Sequence, residues 1–181
     1  MKIKLIAAID SKAGIGLAGT IPWKLSADMT RFKALTTGKV VIMGRRTFAS
    51  LNFKPLPNRS NIVISSTLAP GSHEHTSGDN YTVYPTLGKA LDYLRPFLTY
   101  VESSPFFGTS NEDVYIIGGT ALYEEAFPLA DELLITIIDH DFDCDTFFPA
   151  AEEHEDSFDI TSNESHKGAD FDYHFLTLKR K

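Results

Sequence analysis

The chain has 181 residues, enough for one sizeable hydrophobic core, and its 43% hydrophobic and 23% charged residues are ordinary for a globular protein. A formal net charge of −7 argues against nucleic acid or an anionic membrane as the main partner, so an anionic ligand would need local basic residues. One cysteine, Cys144, excludes an internal disulfide and suits a reducing compartment. No stretch approaches the ~18 apolar residues of a membrane span, and the apolar run at the N-terminus is too short for a signal peptide. The expectation is a cytoplasmic monomer, one domain over 1–181, with neither nucleic acid nor membrane as partner.

Ile3 to Ile9 is an apolar run interrupted only by Lys4, as in a strand buried on both faces. Gly14, Gly16 and Gly19 follow at G-x-G-x-x-G spacing, but Pro22 keeps the chain extended where a dinucleotide fingerprint needs a helix to begin. The stretch reads instead as a glycine-hinged loop covering a site. Ser26 is expected to cap a helix to about Thr36, with Asp28 in its first turn. Asp28, Phe32 and Leu35 fall at i, i+4 and i+7, so the acid shares a face with two large apolar side chains, and Met29 lies beside them. An acid so placed is a candidate for proton chemistry or for gripping a cationic heterocycle. Taken alone, a first-turn acid favoured by the helix dipole is the plainer reading.

Val40 to Met43 reads as a buried strand that ends in Gly44-Arg45-Arg46-Thr47 and a short helix to about Leu51. A turn at Pro55 to Arg59 leads to a strand at Asn61 to Ser65. The polar segment Ala69 to Asn80, with His73 and His75, reads as an exposed loop. A short strand at Tyr81 to Tyr84 follows, and Thr86 caps a helix to about Leu94. Pro96 to Glu112 is aromatic, has no clear period and is expected to pack. Val114 to Ile117 is a strand entering Gly118-Gly119-Thr120 and a helix to about Phe127. Glu132 to Ile138 is another strand, Tyr173 to Lys179 alternates like a half-buried one, and Phe158 to Thr161 reads as an edge. The acidic stretch from Glu152 to Asp159 reads as a solvated loop. Strands alternating with helices, then strands in succession, predict an α/β sheet with an antiparallel C-terminal edge.

Three strand ends carry glycine or hydroxyl signals: Gly44 to Thr47, Ser65-Ser66 and Gly118 to Thr120. In open α/β sheets ligands lie beyond the carboxyl ends of the strands, and amides after glycines receive phosphate. Arg45 and Arg46 add the positive charge an acidic chain needs there. Each signal alone is a glycine turn or a surface arginine; their repetition favours a nucleotide-like cofactor. The six histidines have no ligand spacing beyond His73-x-His75, so no metal is expected.

Five motifs in order, I-P-W-K-L-S-A-D-M-T-R-F-K, V-V-I-M-G-R-R-T-F, P-L-P-N-R-S-N-I-V-I-S-S, Y-I-I-G-G-T-A-L-Y and L-L-I-T-I-I-D, resemble dihydrofolate reductase over Ile3 to Phe148. The resemblance implies a single domain with a mostly parallel central sheet of about eight strands and helices on both faces. It implies reduction of dihydrofolate by NADPH, with sensitivity to antifolate inhibitors. Asp28 is then the acid that binds the pterin's 2-amino and N3 edge and supports protonation at N5, and Trp23 holds an ordered water near it. Ile6, Ala8, Met29, Phe32 and Leu51 form the substrate walls, Thr136 bonds the acid, and Arg59 takes the substrate's tail carboxylate. The cofactor falls to Ala8, Ile15, Gly16, Thr20, Gly44, Arg45, Arg46, Thr47, Ser65, Ser66, Ile117, Gly118, Gly119, Thr120 and Tyr123. The glycine pair is implied to be joined by a cis peptide, Gly14 to Thr20 to be a mobile loop, and Asp145 to brace it.

The chain departs from that pattern in places. Ala121 stands where some relatives carry an arginine near the cofactor's 2′-phosphate, leaving Arg45, Arg46 and Ser66 to discriminate NADPH from NADH. Asn52-Phe53-Lys54 makes the loop before Pro55 one residue longer than in some relatives. Two rivals stay open at this stage: a same-fold pyrimidine reductase of riboflavin synthesis, and a non-catalytic binding or structural protein that keeps the fold.

Overall fold

A computed structural model describes residues 1–74, 80–99, 113–149 and 157–181. A nine-stranded sheet organises them, in the order β10-β11-β8-β1-β7-β3-β4-β6-β5. Its strands are β1 (Lys2–Ile9), β3 (Val40–Gly44), β4 (Ser60–Ile64), β5 (Gly71–Glu74), β6 (Asn80–Tyr84), β7 (Asp113–Ile116), β8 (Glu132–Ile138), β10 (Phe158–His166) and β11 (Tyr173–Arg180). The run from β8 to β6 is parallel, while β11 and β10 add antiparallel at one edge and β5 at the other. A separate two-stranded piece pairs β2 (Gly14–Gly16) with β9 (Thr146–Phe147).

The pleat divides the apolar runs between two cores. Leu5, Ala7, Val40, Ile42, Val114 and Ile116 face one core, together with Leu87, Leu91 and Leu94 of α3 (Leu87–Thr99) and Leu122 and Tyr123 of α4 (Thr120–Ala126). Ile6, Val41, Met43, Val63 and Val83 face the other, with Phe48 of α2 (Arg45–Ser50) and, half-buried, Phe32 and Leu35 of α1 (Ser26–Thr36). Helices therefore cover both faces, because central parallel strands have no side to leave in water. Among the described residues no helix is long and apolar enough to cross a membrane.

Four local expectations change. The sheet has nine strands rather than about eight, since Gly71–Glu74, inside the expected loop from Ala69 to Asn80, pairs with β6. Polar residues suit that strand because it lies at an edge with one side in solvent. Ser26 is not the cap of α1: Leu25 holds that position without a side-chain bond. Helix α3 runs on to Thr99 with Pro96 inside it, so one i→i−4 bond is missing there. The strand starting at Phe158 continues to His166 past a register shift between Ile160 and Ser162, and its mostly exposed residues hide it from pattern reading. Thr86 does cap α3, its hydroxyl accepting from the Lys89 amide at 3.3 Å. Residues 100–112 of the aromatic segment, residues 152–156 of the acidic one and His75 lie outside the described residues.

Candidate active site

Parallel β1, β8 and β7 carry Ile6 to Ala8, Thr136 and Ile117 to the carboxyl side of the sheet, and α1 crosses beside them. There the Thr136 hydroxyl, on a residue only 1% exposed, donates to Asp28 Oδ1 at 2.7 Å. Burial pushes the Asp28 carboxyl above the ordinary carboxylate value, and the Thr136 donor and the Arg31 charge pull back only part of that rise. Asp28 lines a cleft of about 610 Å³ with Trp23, Met29, Ile21, Leu25 and Lys24. Trp23 is buried and packs its ring on Phe142 with centroids 5.1 Å apart. Met29, expected as part of the apolar face, stands 59% exposed at the cleft rim. Further along α1, Phe32 packs onto the core, as does Leu51 at the end of α2, and the Arg59 guanidinium lies 5.6 Å from the Phe32 ring centre. Arg59 Nε donates to Thr36 Oγ1 at 3.0 Å, which fixes the stem and leaves the two terminal nitrogens of the fork for a ligand.

The glycine loop folds over the same end. Gly16 O accepts from the Asp145 amide at 3.0 Å, and Asp145 Oδ2 accepts from the Ala18 amide at 2.9 Å. Leu17 and Thr20 exchange backbone bonds at 2.9 and 3.0 Å, closing a tight hairpin tip. Beneath the loop Asp10, 1% exposed, accepts from the amides of Gly14 (2.7 Å), Lys12 (2.9 Å) and Phe142 (3.2 Å). Burial alone would raise its carboxyl, but these donors and the Cys144 thiol outweigh it and hold it below the usual range. The Cys144 thiol is correspondingly pushed up to about 11, chiefly by burial and then by Asp10.

On the other side of the cleft, the peptide between Gly118 and Gly119 is cis. Gly118 O accepts from the Gly44 amide at 2.7 Å, which ties the end of β3 to the start of α4. Gly118 has φ +113°, and a methyl there would meet Tyr123 Oη at 3.3 Å and Thr47 Oγ1 at 3.4 Å, so only glycine fits comfortably. The buried Tyr123 hydroxyl donates to Ile6 O at 2.7 Å. Arg45 and Arg46 are exposed and make no ion pair among the described residues; Ser66 is exposed nearby at the end of β4. Ser65 is different: it is buried, and its oxygen accepts from the amides of Thr67 (3.2 Å) and Leu68 (3.0 Å), so its hydroxyl serves the turn. Thr120 likewise spends its hydroxyl on Phe147 O at 2.8 Å. Side-chain-free glycines, helix starts without side-chain caps and two unpaired arginines fit an anionic dinucleotide such as NADPH.

Asp10, Arg31 and Phe142 escaped the sequence reading. Asp10 ends the apolar run of β1, where ligands gather in such sheets, and Arg31 stands three residues after Asp28 on one helix face, so both left a signal. Phe142 left none, because its contact with Trp23 joins distant loops. Among the described residues no cluster of histidine, cysteine or carboxylate side chains could hold a metal.

Comparison with known proteins agrees with this geometry. The profile of the family described as dihydrofolate reductase matches residues 2–180. The dihydrofolate reductase of Bacillus subtilis is 37% identical over 182 residues, covering 99% of this chain and 95% of that protein. That of Haemophilus influenzae is 36% identical over 183 residues and all of both chains, and the type 3 enzyme of Salmonella typhimurium is 42% identical over 149 residues, or 82% and 79%. A bifunctional dihydrofolate reductase-thymidylate synthase of Paramecium tetraurelia is 34% identical over 178 residues, and the chain spans only 34% of its length. An Enterococcus faecalis dihydrofolate reductase complexed with NADP(H) and RAB-propyl superposes with a TM-score of 0.78 at 24% identity, over 99% of this chain and 96% of that one, which speaks to the fold. This chain belongs to the dihydrofolate reductase family.

Proposed function

We propose that this chain reduces 7,8-dihydrofolate to 5,6,7,8-tetrahydrofolate, with Asp28 gripping the pterin and assisting protonation at N5. The observation that carries the reading is the Thr136–Asp28 hydrogen bond, set at the wall of a cleft beside Trp23. Asp28 Oδ1 accepts one hydrogen bond from Thr136, so Oδ2 and the remaining lone pair of Oδ1 are offered to the 2-amino and N3 edge. A carboxyl raised by burial becomes more acidic again on meeting a cationic heterocycle, so binding and proton supply are coupled at one group. Trp23, fixed on Phe142, positions water near N5. Ile6, Ala8, Met29, Phe32 and Leu51 flank the substrate, and Arg59 takes its tail carboxylate with the free side of the fork.

NADPH supplies the hydride when bound. Arg45, Arg46, Thr47 and Ser66 hold its phosphate side, and Gly44, Ile117, Gly118, Gly119, Thr120 and Tyr123 form the cradle toward the nicotinamide. Ala8, Ile15, Gly16 and Thr20 close over it from β1 and the glycine loop, and Asp145 braces that loop through Ala18 and Gly16. Closure excludes water and orients the reacting carbons. The same reading takes 1–181 as one cytoplasmic, monomeric unit open to antifolates.

Asp28→Asn should keep NADPH affinity and lose turnover at neutral pH by on the order of 10²–10⁴, with partial recovery in acid where the substrate arrives protonated. The measurement is NADPH oxidation with dihydrofolate across pH, beside a fluorescence titration of the cofactor. Full turnover in the variant would sink the assignment.

A further inference from the structure

One cation in the substrate half has no assigned task. Arg31, on α1 one turn after Asp28, reaches over β8 rather than into solvent. Its Nη1 donates to Thr136 Oγ1 at 3.3 Å and to Ile135 O at 3.4 Å, and its guanidinium lies on the Phe175 ring of β11, 4.6 Å from the centre. It makes no direct ion pair with Asp28; the Thr136 hydroxyl stands between them, accepting from Arg31 and donating to Asp28 Oδ1 at 2.7 Å.

The chemistry of the three groups gives this order a direction. Arginine has only donors, so Thr136 Oγ1 must face it as an acceptor. Threonine has one hydroxyl proton, which is thereby left to Asp28. A hydroxyl whose oxygen is held by a cation is also a better donor than a neutral one. The planar fork, stacked on Phe175, keeps this arrangement with little loss of freedom, which a lysine would not do.

We propose that Arg31 is a positioning residue for Asp28, fixing the Thr136 proton on Oδ1 and holding the acid toward its anionic form through that hydroxyl. The inference rests on the reading of Asp28 as the pterin-facing acid. Other groups near Asp28 would not do the same. Tyr123 on α4 is neutral and its hydroxyl donates to Ile6 O; Lys24 is exposed at the cleft rim. The Arg31 guanidinium feels the charge of Asp28 first and, more weakly, that of Glu164 on β10, both opposing the effect of its burial.

The test follows the Asp28 carboxyl directly, by carbon NMR of aspartate-labelled, ligand-free protein across pH, and compares it with the pH profile of turnover. Arg31→Met removes the charge and leaves an unbranched apolar side chain beside Phe175: the Asp28 midpoint should move up by about one pH unit, with turnover persisting to higher pH. Arg31→Lys keeps the charge without the fork and should shift the midpoint less. Glu164→Gln changes an exposed carboxylate, so it tests the idea even if Arg31→Met fails to fold, and should move the midpoint down. An unmoved midpoint in Arg31→Met or Glu164→Gln overturns the proposal. So do equal shifts in Met and Lys, which would leave the charge of Arg31 without effect on Asp28. Asp28→Asn separates the two readings: full turnover there defeats the site assignment, whereas lost turnover beside unmoved midpoints defeats only the role of Arg31.

Discussion

A half-buried aspartate, Asp28, and a buried one, Asp10, at the same end of the sheet are tuned in opposite directions, and the cause is what each oxygen accepts. Asp28 has one hydroxyl donor and a partly buried arginine against its burial, and its carboxyl lies above the ordinary value of 3.8. Asp10 has three amide donors and lies below 3.8. Linkage fixes opposite consequences for stability. A raised folded-state value contributes stability that is full below 3.8 and is lost as pH rises through the folded value, so Asp28→Asn should raise Tm at neutral pH and lose that advantage in acid. A depressed value contributes stability that is present above 3.8 and lost as pH falls through the folded value, so Asp10→Asn should lower Tm at neutral pH and matter less in acid. Thermal melts of both variants between acid and neutral pH check the two signs together. A stabilising Asp28→Asn would also mean that this acid is kept at a cost to the fold, as expected of a residue retained for chemistry.

At the level of elements, the loop at β2 depends on one close approach. A methyl on Gly14 would fall against the Cβ of Cys144, within 2.7 Å of its Sγ and 2.8 Å of Asp10 Oδ2. That glycine is needed for room, since the close approach of two backbones lets Asp10 bind the loop from below and β9 from the side. Gly14→Ala should therefore destabilise by about 1–3 kcal/mol through overpacking and reduce turnover by displacing the loop. Adding Cys144→Gly removes the Cβ and Sγ in the way and should restore part of both, as read from urea midpoints and steady-state rates. If the double variant fares no better than the single one, steric contact is not what Gly14 relieves.

On the scale of the whole molecule, the face that carries the site is also a core. Phe48, fully buried, joins α2 to the sheet, with Tyr81 at 4.7 Å and Phe53 at 5.7 Å between ring centres. Phe48→Ala should cost about 3–5 kcal/mol, a large share of the total for a small protein, and appear as a lowered denaturant midpoint with an unchanged slope. Because α2 begins at Arg45 and Leu51 follows its end, the loss should weaken cofactor and substrate binding before the sheet itself unfolds.

The linear chain by itself determined the parallel centre of the sheet, since β1, β3, β4 and β7 are dominated by consecutive apolar residues that fit no exposed position. It also marked Asp28, whose place on an apolar helix face is a local matter of spacing, and the glycines at the strand ends. The edges were less legible: β5 and most of β10 are polar because one side of each meets water, so nothing in their pattern separates them from loops. What surrounds Asp28 was decided by tertiary structure. Thr136 lies 108 positions away and Phe175 further still, and they meet the acid and Arg31 only because β1 brings β8, and β8 brings β11, to the same edge of the cleft. Periodicity reports which face a residue shares with its helix neighbours; which hydroxyl, ring or cation faces it from another strand depends on strand order, and strand order is set by the packing of the whole sheet.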